Sequence, residues 1–514
     1  MEKYNDIPAE KFKFVNLNEK LHDKKFNTKA KGFLADAFSR FKKNKASVIA
    51  MYIIVFLLLF AIFAPILSPY TIQDKDIVYN NYPPFIRSFA DMGIGLFDGG
   101  KPLDSQNDNS MLAIRGIYEE TGYNPLIKTL NTTYQKVIIK GQEVEQKFYK
   151  VKINAYYYKG IQFMTMDEES VRKLMAFQNE TGIQVIYPWV EPRDIQNISD
   201  APNIWYKVDR KGIATLDEEG NFQPAYCKNK SYQAFEYDSL RIAGDDGSYI
   251  YARKKDAGSI KIRVCYYNYY QYINGHEPSY IFGTDEMGKD LFMLIGVGAR
   301  FSLIFAIIVS LVNVILGVIY GSIEGYYGGI PDLAMERVSD ILSGVPSLVV
   351  ITLFQYHLAP KLGATSGPVM AFFLAFIATG WIGMASLTRK QFYRFKSQEY
   401  VMAARTLGAS DSRLMFKHIL PNSLGTMITS CALIIPGVIS SETSLTYLGI
   451  IDLSNFAGTS LGSLIQQGNA ADWMATPHAL FFPTLFLALL LITFNLFGNG
   501  LRDAFNPSTR GIDD

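Results

Sequence analysis

Six stretches of this chain carry no Asp, Glu, Lys or Arg and are long enough to cross a bilayer: Ser47–Leu67, Phe301–Ile323, Ile341–Leu358, Gly367–Leu387, Leu424–Ser441 and Ala479–Phe497. About 20 residues at a rise of 1.5 Å cross a hydrocarbon core of about 30 Å. Inside lipid the backbone amides must find partners within the segment, so such runs become helices. The chain is therefore expected to build a helical membrane bundle. The third run is the weakest, because Gly344 and Pro346 interrupt it. The mean hydropathy of only +0.07 hides these runs, since an ordinary polar population of residues dilutes them.

Charge orients the bundle. The first run reads as a retained span rather than a cleaved signal peptide, because a tail of 46 residues precedes it. That tail holds 12 Lys/Arg against 6 Asp/Glu, and basic flanks stay on the cytoplasmic side. Residues 1–46 are thus expected inside and, after six spans, so are residues 499–514. The loop 388–423 falls inside on the same count, and it carries seven Lys/Arg against two acidic residues. One loop dissents: residues 324–340 sum to −3, although acidic residues weigh little in this rule.

Residues 68–280 are too many for a linker and fall outside under this topology. VIIKGQEVEQKFYKVKI reads as two strands around Lys140-Gly141. SLRIAGDDGSYIYARKK reads as a hairpin with Asp246-Gly247 near its turn. DEESVRKLMAFQNETG reads as an amphipathic helix ending at Gly182. An α+β domain inserted on the extracytoplasmic side is the expectation. Its many tyrosines suit either a binding surface or sheet filler. Cys227 and Cys265 lie in this region and Cys431 in the fifth run. A disulfide between the first two stays open, and no spacing suggests a metal site.

Residues 398–421 are polar, basic and small where a plain connector needs no such pattern. Ser397 is a plausible N-cap for a helix from Gln398 to Leu407, and Gly408 suits the left-handed position after it. Ser410 then caps a second short helix with Asp411 at its positive end, and Pro421 closes it. Two helices about a glycine turn make a knob on the cytoplasmic face. Ala403 and Ala404 let another backbone approach. The competing reading is a helix–loop–helix connector without further use.

MAARTLGASDSRLMFKHILP resembles the EAA loop of permease subunits of ATP-binding-cassette importers. The pattern is Glu-Ala-Ala, three residues, Gly, nine residues, an apolar position, a gap, Leu and Pro. Ala403, Ala404, Gly408, Leu420 and Pro421 fit it. Met402 stands where the pattern has Glu, with Glu399 three residues earlier, and His418 takes the apolar position, as HILPN does in the peptide-transporter branch. FGTDEMGKDLFMLIGVGARFSL, GYYGGIPDLAMERVSDILSGVPSL, SETSLTYLGI, FNLFGNGLRDAFNPSTRG and the first span KNKASVIAMYIIVFLLLFAIFAPILSPY resemble the C-type subunits of oligopeptide and dipeptide importers, with Lys289 in place of an Arg. The resemblance covers residues 40–70 and 280–510 and skips roughly 72–278.

The resemblance implies a type I importer permease: an all-α transmembrane bundle of six spans plus the inserted domain, in a bacterial cell membrane. Residues 281–498 would be its core, with five spans and the coupling loop. A B-type permease would complete a heterodimer, two ATPase subunits would dock below, and an extracytoplasmic peptide-binding protein would deliver oligopeptide. Glu399, Ala403, Ala404, Arg405, Gly408, Arg413, His418, Leu420 and Pro421 would couple to an ATPase. ATP and Mg would belong to those partners, since this chain has no Gly-x-x-x-x-Gly-Lys-Ser/Thr loop. No enzymatic activity, bound cofactor, metal or nucleic acid is expected. Span sequences leave nickel chelates or glutathione open as cargo, and a non-transporting receptor built on the outer domain is the competing class. Ion-coupled transport is disfavoured by spans nearly free of ionisable groups.

Four acidic features remain. Asp285 and Asp290 sit where the chain re-enters the membrane, as turn and cap residues or as gate contacts. Glu442 follows the fifth run directly, either as an intramembrane group or solvated at the outer interface. Asp332, Glu336 and Asp340 form one helical stripe beside Arg337, which suggests pairing within that helix. Asn313 and Asn495 are expected to hydrogen-bond to other spans.

Overall fold

The computed structural model describes residues 33–93, 95–139, 142–190, 201–209, 213–227, 249–254, 259–453, 458–471 and 474–505. Among them, five unbroken helices are long and apolar enough to cross a membrane: Lys45–Leu67, Leu291–Tyr327, Gly367–Phe395, Asp411–Tyr447 and Pro477–Phe505. In chain order these are the first, second, fourth, fifth and sixth spans. Between the second and fourth, Gly329–Ser343 and Ser347–Leu362 meet at 75°, so this pair is either a broken third span or a re-entrant loop. The bend falls on Gly344 and Pro346, the residues that weakened this run in the sequence. Proline removes a backbone donor and clashes with the preceding turn, so Ile341–Leu358 cannot be one straight rod. The sixth helix runs on to Phe505, beyond the end expected at Phe497, and residues 506–514 lie outside the described residues.

Small residues set the packing. Gly317, Gly321 and Gly325 form a stripe on the second span that lies on the fourth. A Cβ on Gly321 would sit 2.2 Å from the Ala385 carbonyl oxygen, and one on Gly317 would sit 2.6 Å from that of Trp381. Close backbone approach through small residues is how helices associate where lipid offers no hydrophobic drive. The first span is capped by Asn44, whose side chain accepts from Ser47 N, and Ser47 Oγ donates to the Leu496 carbonyl of the sixth span at 3.2 Å. Helix Phe33–Lys43 precedes it, with Phe41 edge-on to Phe497 at 5.6 Å. Asn313 Nδ2 reaches the Phe376 carbonyl across the bundle at 3.5 Å. Asn495 differs from expectation: it is exposed and bonds the Leu491 carbonyl of its own helix.

Between the first and second spans the chain builds sheets and short helices. Strands Gly100–Gln106, Gln142–Asn154 and Leu126–Ile139 lie side by side in that order. The last two form the hairpin expected about Lys140-Gly141, with Ile139 opposite Gln142; the turn residues themselves lie outside the described residues. A second antiparallel sheet centres on Ile260–Cys265, flanked by Ile161–Met166 and by Ile186–Tyr187. Residues 239–248 of the other expected hairpin lie outside the described residues. Helix Glu168–Thr181 ends at Gly182 with φ of 77°, as its sequence indicates. Cys227 and Cys265 are both buried and are not joined in a disulfide, so the pairing left open by the sequence is not made.

Many tyrosines of this segment face inward, although Tyr118 and Tyr134 are exposed. Tyr70, Tyr79, Phe85, Tyr156, Tyr270 and Tyr280 share one core. Tyr70 stacks on Tyr280 at 4.6 Å, and the Tyr270 hydroxyl lies 3.0 Å from both of theirs. Burial pushes the Tyr70 hydroxyl up to about 12. Of the two sequence readings, filler holds for these residues: the rings fill apolar volume and the hydroxyls of Tyr70, Tyr156, Tyr270 and Tyr280 find polar partners, while that of Tyr79 has none among the described residues.

This core sits over a neck. Phe85 and Tyr280 exchange backbone hydrogen bonds of 2.8 and 2.9 Å, and Thr284 N donates to the Tyr82 carbonyl at 2.9 Å. The 194 residues between Phe85 and Tyr280 hang from this short ladder. Asp285 accepts from Met287 N and Lys289 N, both at 2.8 Å. Asp290 caps the second span through Phe292 N and Met293 N and accepts from Ser68 Oγ at 2.8 Å. Both are buried. Burial raises the Asp290 carboxyl to about 6, against the pull of these donors. The turn-and-cap reading therefore accounts for both carboxylates.

Candidate functional site: a knob between the fourth and fifth spans

Helix Glu399–Thr406 opens the knob, with Gln398 rather than Ser397 at the N-cap and no side chain closing it. Gly408 follows at φ +82°. The Ala409 amide bonds the Ala404 carbonyl at 3.1 Å and the Gly408 amide that of Arg405 at 3.0 Å. This double closure is a Schellman turn, whose left-handed residue is usually glycine. No atom lies within 4 Å of a Cβ placed on Gly408, so backbone conformation and not space dictates glycine there.

The second helix starts after Ser410, at Asp411, but Pro421 does not end it. The chain passes through a π-helical stretch, Leu414–Ile419, straight into Leu420–Tyr447. The physical reason lies in the register. Pro421 falls in the first turn after the π stretch, where a missing N–H costs little.

The knob rests on the bundle through Val401, Leu414, Met415 and Ile419, buried with Tyr326, Phe392 and Met427. Ala404, Ala409 and Leu420 pack against this cluster. Ala404 is therefore small partly for its own fold, and Leu420 faces inward. Arg405 Nη2 donates to the Tyr326 hydroxyl at 3.4 Å, and that hydroxyl donates to Asp411 Oδ1 at 2.5 Å. Arg405 thus also ties the knob to the second span.

Glu399, Ala403, Arg413 and Pro421 are exposed, and His418 is half-buried. Beside them lie apolar side chains that motif reasoning passed over: Tyr400, Met402, Phe416 and Leu407, the last 88% exposed. Their signal was in the sequence, as large apolar residues in a polar loop. Large apolar side chains left exposed on a polar loop are candidates for contact with a partner.

Next to the knob is an ion cluster. Arg389 on the fourth span binds Asp332 at 2.6 and 3.0 Å and Glu336 at 2.6 and 3.0 Å, with Glu324 at 3.5 Å. Tyr393 donates to Asp332 and Lys396 to the Gly325 carbonyl. The expected pairing within the stripe holds only for Asp340, which meets Arg337 at 3.2 Å. Asp332 and Glu336 instead reach across to another helix. The acidity of residues 324–340 thus has its counter-charge on the fourth span.

Glu442 is not at a solvated interface. It is 0% exposed, and its Oε2 accepts from Ser302 Oγ at 2.8 Å and from Thr443 Oγ1 at 3.3 Å. Its Oε1 has no partner among the described residues. The cause is tertiary: the fifth span extends to Tyr447, so Glu442 lies inside a helix against the second span. Asp285, Asp290 and Glu442 are not brought together with the knob, which lies at the other end of the second span.

The chain is similar to known proteins at both ends of its permease-like part. Residues 32–84 match the N-terminal TM domain of oligopeptide transport permease C. Residues 313–511 match the binding-protein-dependent transport system inner membrane component. The oligopeptide transport system permease protein OppC of Bacillus subtilis (strain 168) is 41% identical over 229 residues, which are 45% of this chain and 72% of that protein. The dipeptide transport system permease protein DppC of the same organism is 38% identical over 229 residues, 45% of this chain and 69% of that one. The OppC of Haemophilus influenzae is 37% identical over 241 residues, 46% and 72% of the two chains.

Proposed function

Because the chain belongs to the family of binding-protein-dependent transport system inner membrane components, in its oligopeptide and dipeptide branch, we propose that it forms half of the pathway of an ATP-driven oligopeptide importer. The family consists of membrane permeases without enzymatic activity that work with further permease and ATPase subunits. A B-type permease completes the pathway and two ATPase subunits, with their ATP and Mg, drive it. The knob is the joint to one of them. The observation that carries this reading is the exposure of Ala403, Met402 and Leu407 on a helical support anchored by the buried Val401, Leu414 and Ile419. Closure of the ATPase on ATP moves that support and reorients the spans.

The charge asymmetry supports a cytoplasmic knob and cytoplasmic termini. It puts the segment between Phe85 and Tyr280 outside, where a peptide-binding protein delivers cargo. The position of the neck supports this reading, since the first family match stops at residue 84. Docking of the delivery protein, or capping of the entrance, is the role of this insert. Replacing residues 86–279 by a short turn keeps the ladder and tests that role; unchanged uptake would refute it.

Uptake of a length series of labelled peptides, in a strain lacking this chain, tests the main reading. The wild type restores uptake. Leu407→Asp and Ala403→Arg do not, at matched membrane levels, because an exposed apolar anchor contributes about 2 kcal/mol to an interface. These two sites are cleaner probes than Ala404, which also packs inside the knob. Equal restoration by wild type and both variants would remove the knob as the transmission site.

A further inference from the structure

A groove of about 520 Å³ runs between the second and fourth spans. Ile304 and Ile308 form one wall and Met370 and Phe373 the other, with Phe305 beneath. Arg300 and Ser366 stand together at one end. On both helices that end adjoins the start of an apolar stretch: the uncharged run of the second span starts at Phe301, directly after Arg300, and the helix of the fourth span starts at Gly367, directly after Ser366. From there the groove descends. Ile308 lies eight residues past Arg300, about 12 Å along the helix, which is most of one leaflet of a core of about 30 Å.

The Arg300 side chain is exposed and has no carboxylate partner among the described residues. Arg263 and Arg389, by contrast, each hold carboxylates. A second groove of about 670 Å³, between Tyr447, Ile465, Phe481 and Leu485, has no charged residue in its lining. An apolar helix of a partner suits that second groove. Seated on the first, it would bury a guanidinium without a counter-charge, at a large desolvation cost. An amphiphile with a negative head and a hydrocarbon tail matches both parts of the first groove, because a basic group at the mouth of an inter-helix pocket recognises anionic headgroups.

We propose that this groove binds one anionic phospholipid. The phosphate lies on the Arg300 guanidinium with the Ser366 hydroxyl beside it, and one acyl chain runs between Ile304, Ile308, Met370 and Phe373. The site ties lipid composition to the contact between the second and fourth spans.

The test uses the full chain in its purified transporter, reconstituted in nanodiscs of equal phosphatidylglycerol and phosphatidylcholine and released for native mass spectrometry. Wild type retains phosphatidylglycerol in preference to phosphatidylcholine. Arg300→Gln lowers that preference about fivefold, the worth of one cation near a headgroup, whereas Arg300→Lys keeps it. Met370→Trp fills the groove and removes retained lipid of both kinds. Equal retention of the two lipids by wild type, or an unchanged preference in Arg300→Gln, would overturn the proposal. So would a photo-reactive side chain at position 370 that joins to protein rather than to lipid.

Discussion

Arg263 lies in the core of the insert and Arg389 at one end of the bundle, and they hold their carboxylates in opposite surroundings. The Arg263 side chain is 0% exposed and that of its partner Glu120 is 3% exposed. Its remaining donors go to the carbonyls of Pro188 and Pro202 at 2.6 and 2.8 Å. Tyr226 completes Glu120 at 3.0 Å. Burial pushes the Glu120 carboxyl upward and the guanidinium pulls it back, with burial the larger effect. The side chain of Arg389 is 22% exposed and shares itself among three carboxylates on the second span and on helix Gly329–Ser343. The buried set has one arrangement in which every group is satisfied. The open set can exchange protein partners for water, so the loss of one partner costs it less.

Glu120→Ala separates the two surroundings most sharply. It leaves Arg263 buried without its anion and costs about 3–5 kcal/mol. Thermal unfolding of the full chain, read by tyrosine fluorescence and by protease cleavage in the insert, measures this. A loss under about 1 kcal/mol would place the pair among surface salt bridges and erase the contrast. Glu120→Leu with Arg263→Met recovers most of that loss, because replacing both members of a buried pair by apolar residues is close to neutral.

Arg389→Ala comes next, at about 1–2 kcal/mol, between the buried and surface ranges. Its signature is kinetic: peptide uptake falls while the insert keeps its protease resistance. An insert that opens in this variant would show that the two regions are coupled. Gly408→Ala costs about 1 kcal/mol through the left-handed backbone alone, visible as a small drop in melting temperature. Glu336→Gln is the mildest. Its side chain is 38% exposed and Arg389 keeps Asp332, so the loss is about 0.5 kcal/mol and shrinks with added salt.

The same contrast explains what could be read from the amino acids. The spans were legible because a run without charge has one stable form in lipid, and the break in the third run was legible from Gly344 and Pro346. The glycine turn of the knob and the helix ending at Gly182 were legible because left-handed backbone selects glycine. Pro421 misled, since a proline signals an end only when its turn needs the N–H, and the π stretch removes that need. Arg389 was missed because its partners lie 53 to 65 residues away, and helical spacing reveals neighbours only three and four apart. The exposed face of the knob was half legible: the motif pointed to small residues, while the prominent side chain is Leu407.

Local chemistry therefore settled the elements of this protein: where the long apolar helices run, where glycine turns them, and which loop carries small residues between basic ones. Tertiary packing decided the fates of the polar groups. It put Glu442 inside rather than at a wet boundary, gathered a cluster of tyrosines into one core, kept Cys227 and Cys265 from joining in a disulfide, and paired Asp332 with Arg389 instead of a neighbour. Whether a polar side chain meets water, a counter-charge or neither depends on which distant segment folds over it.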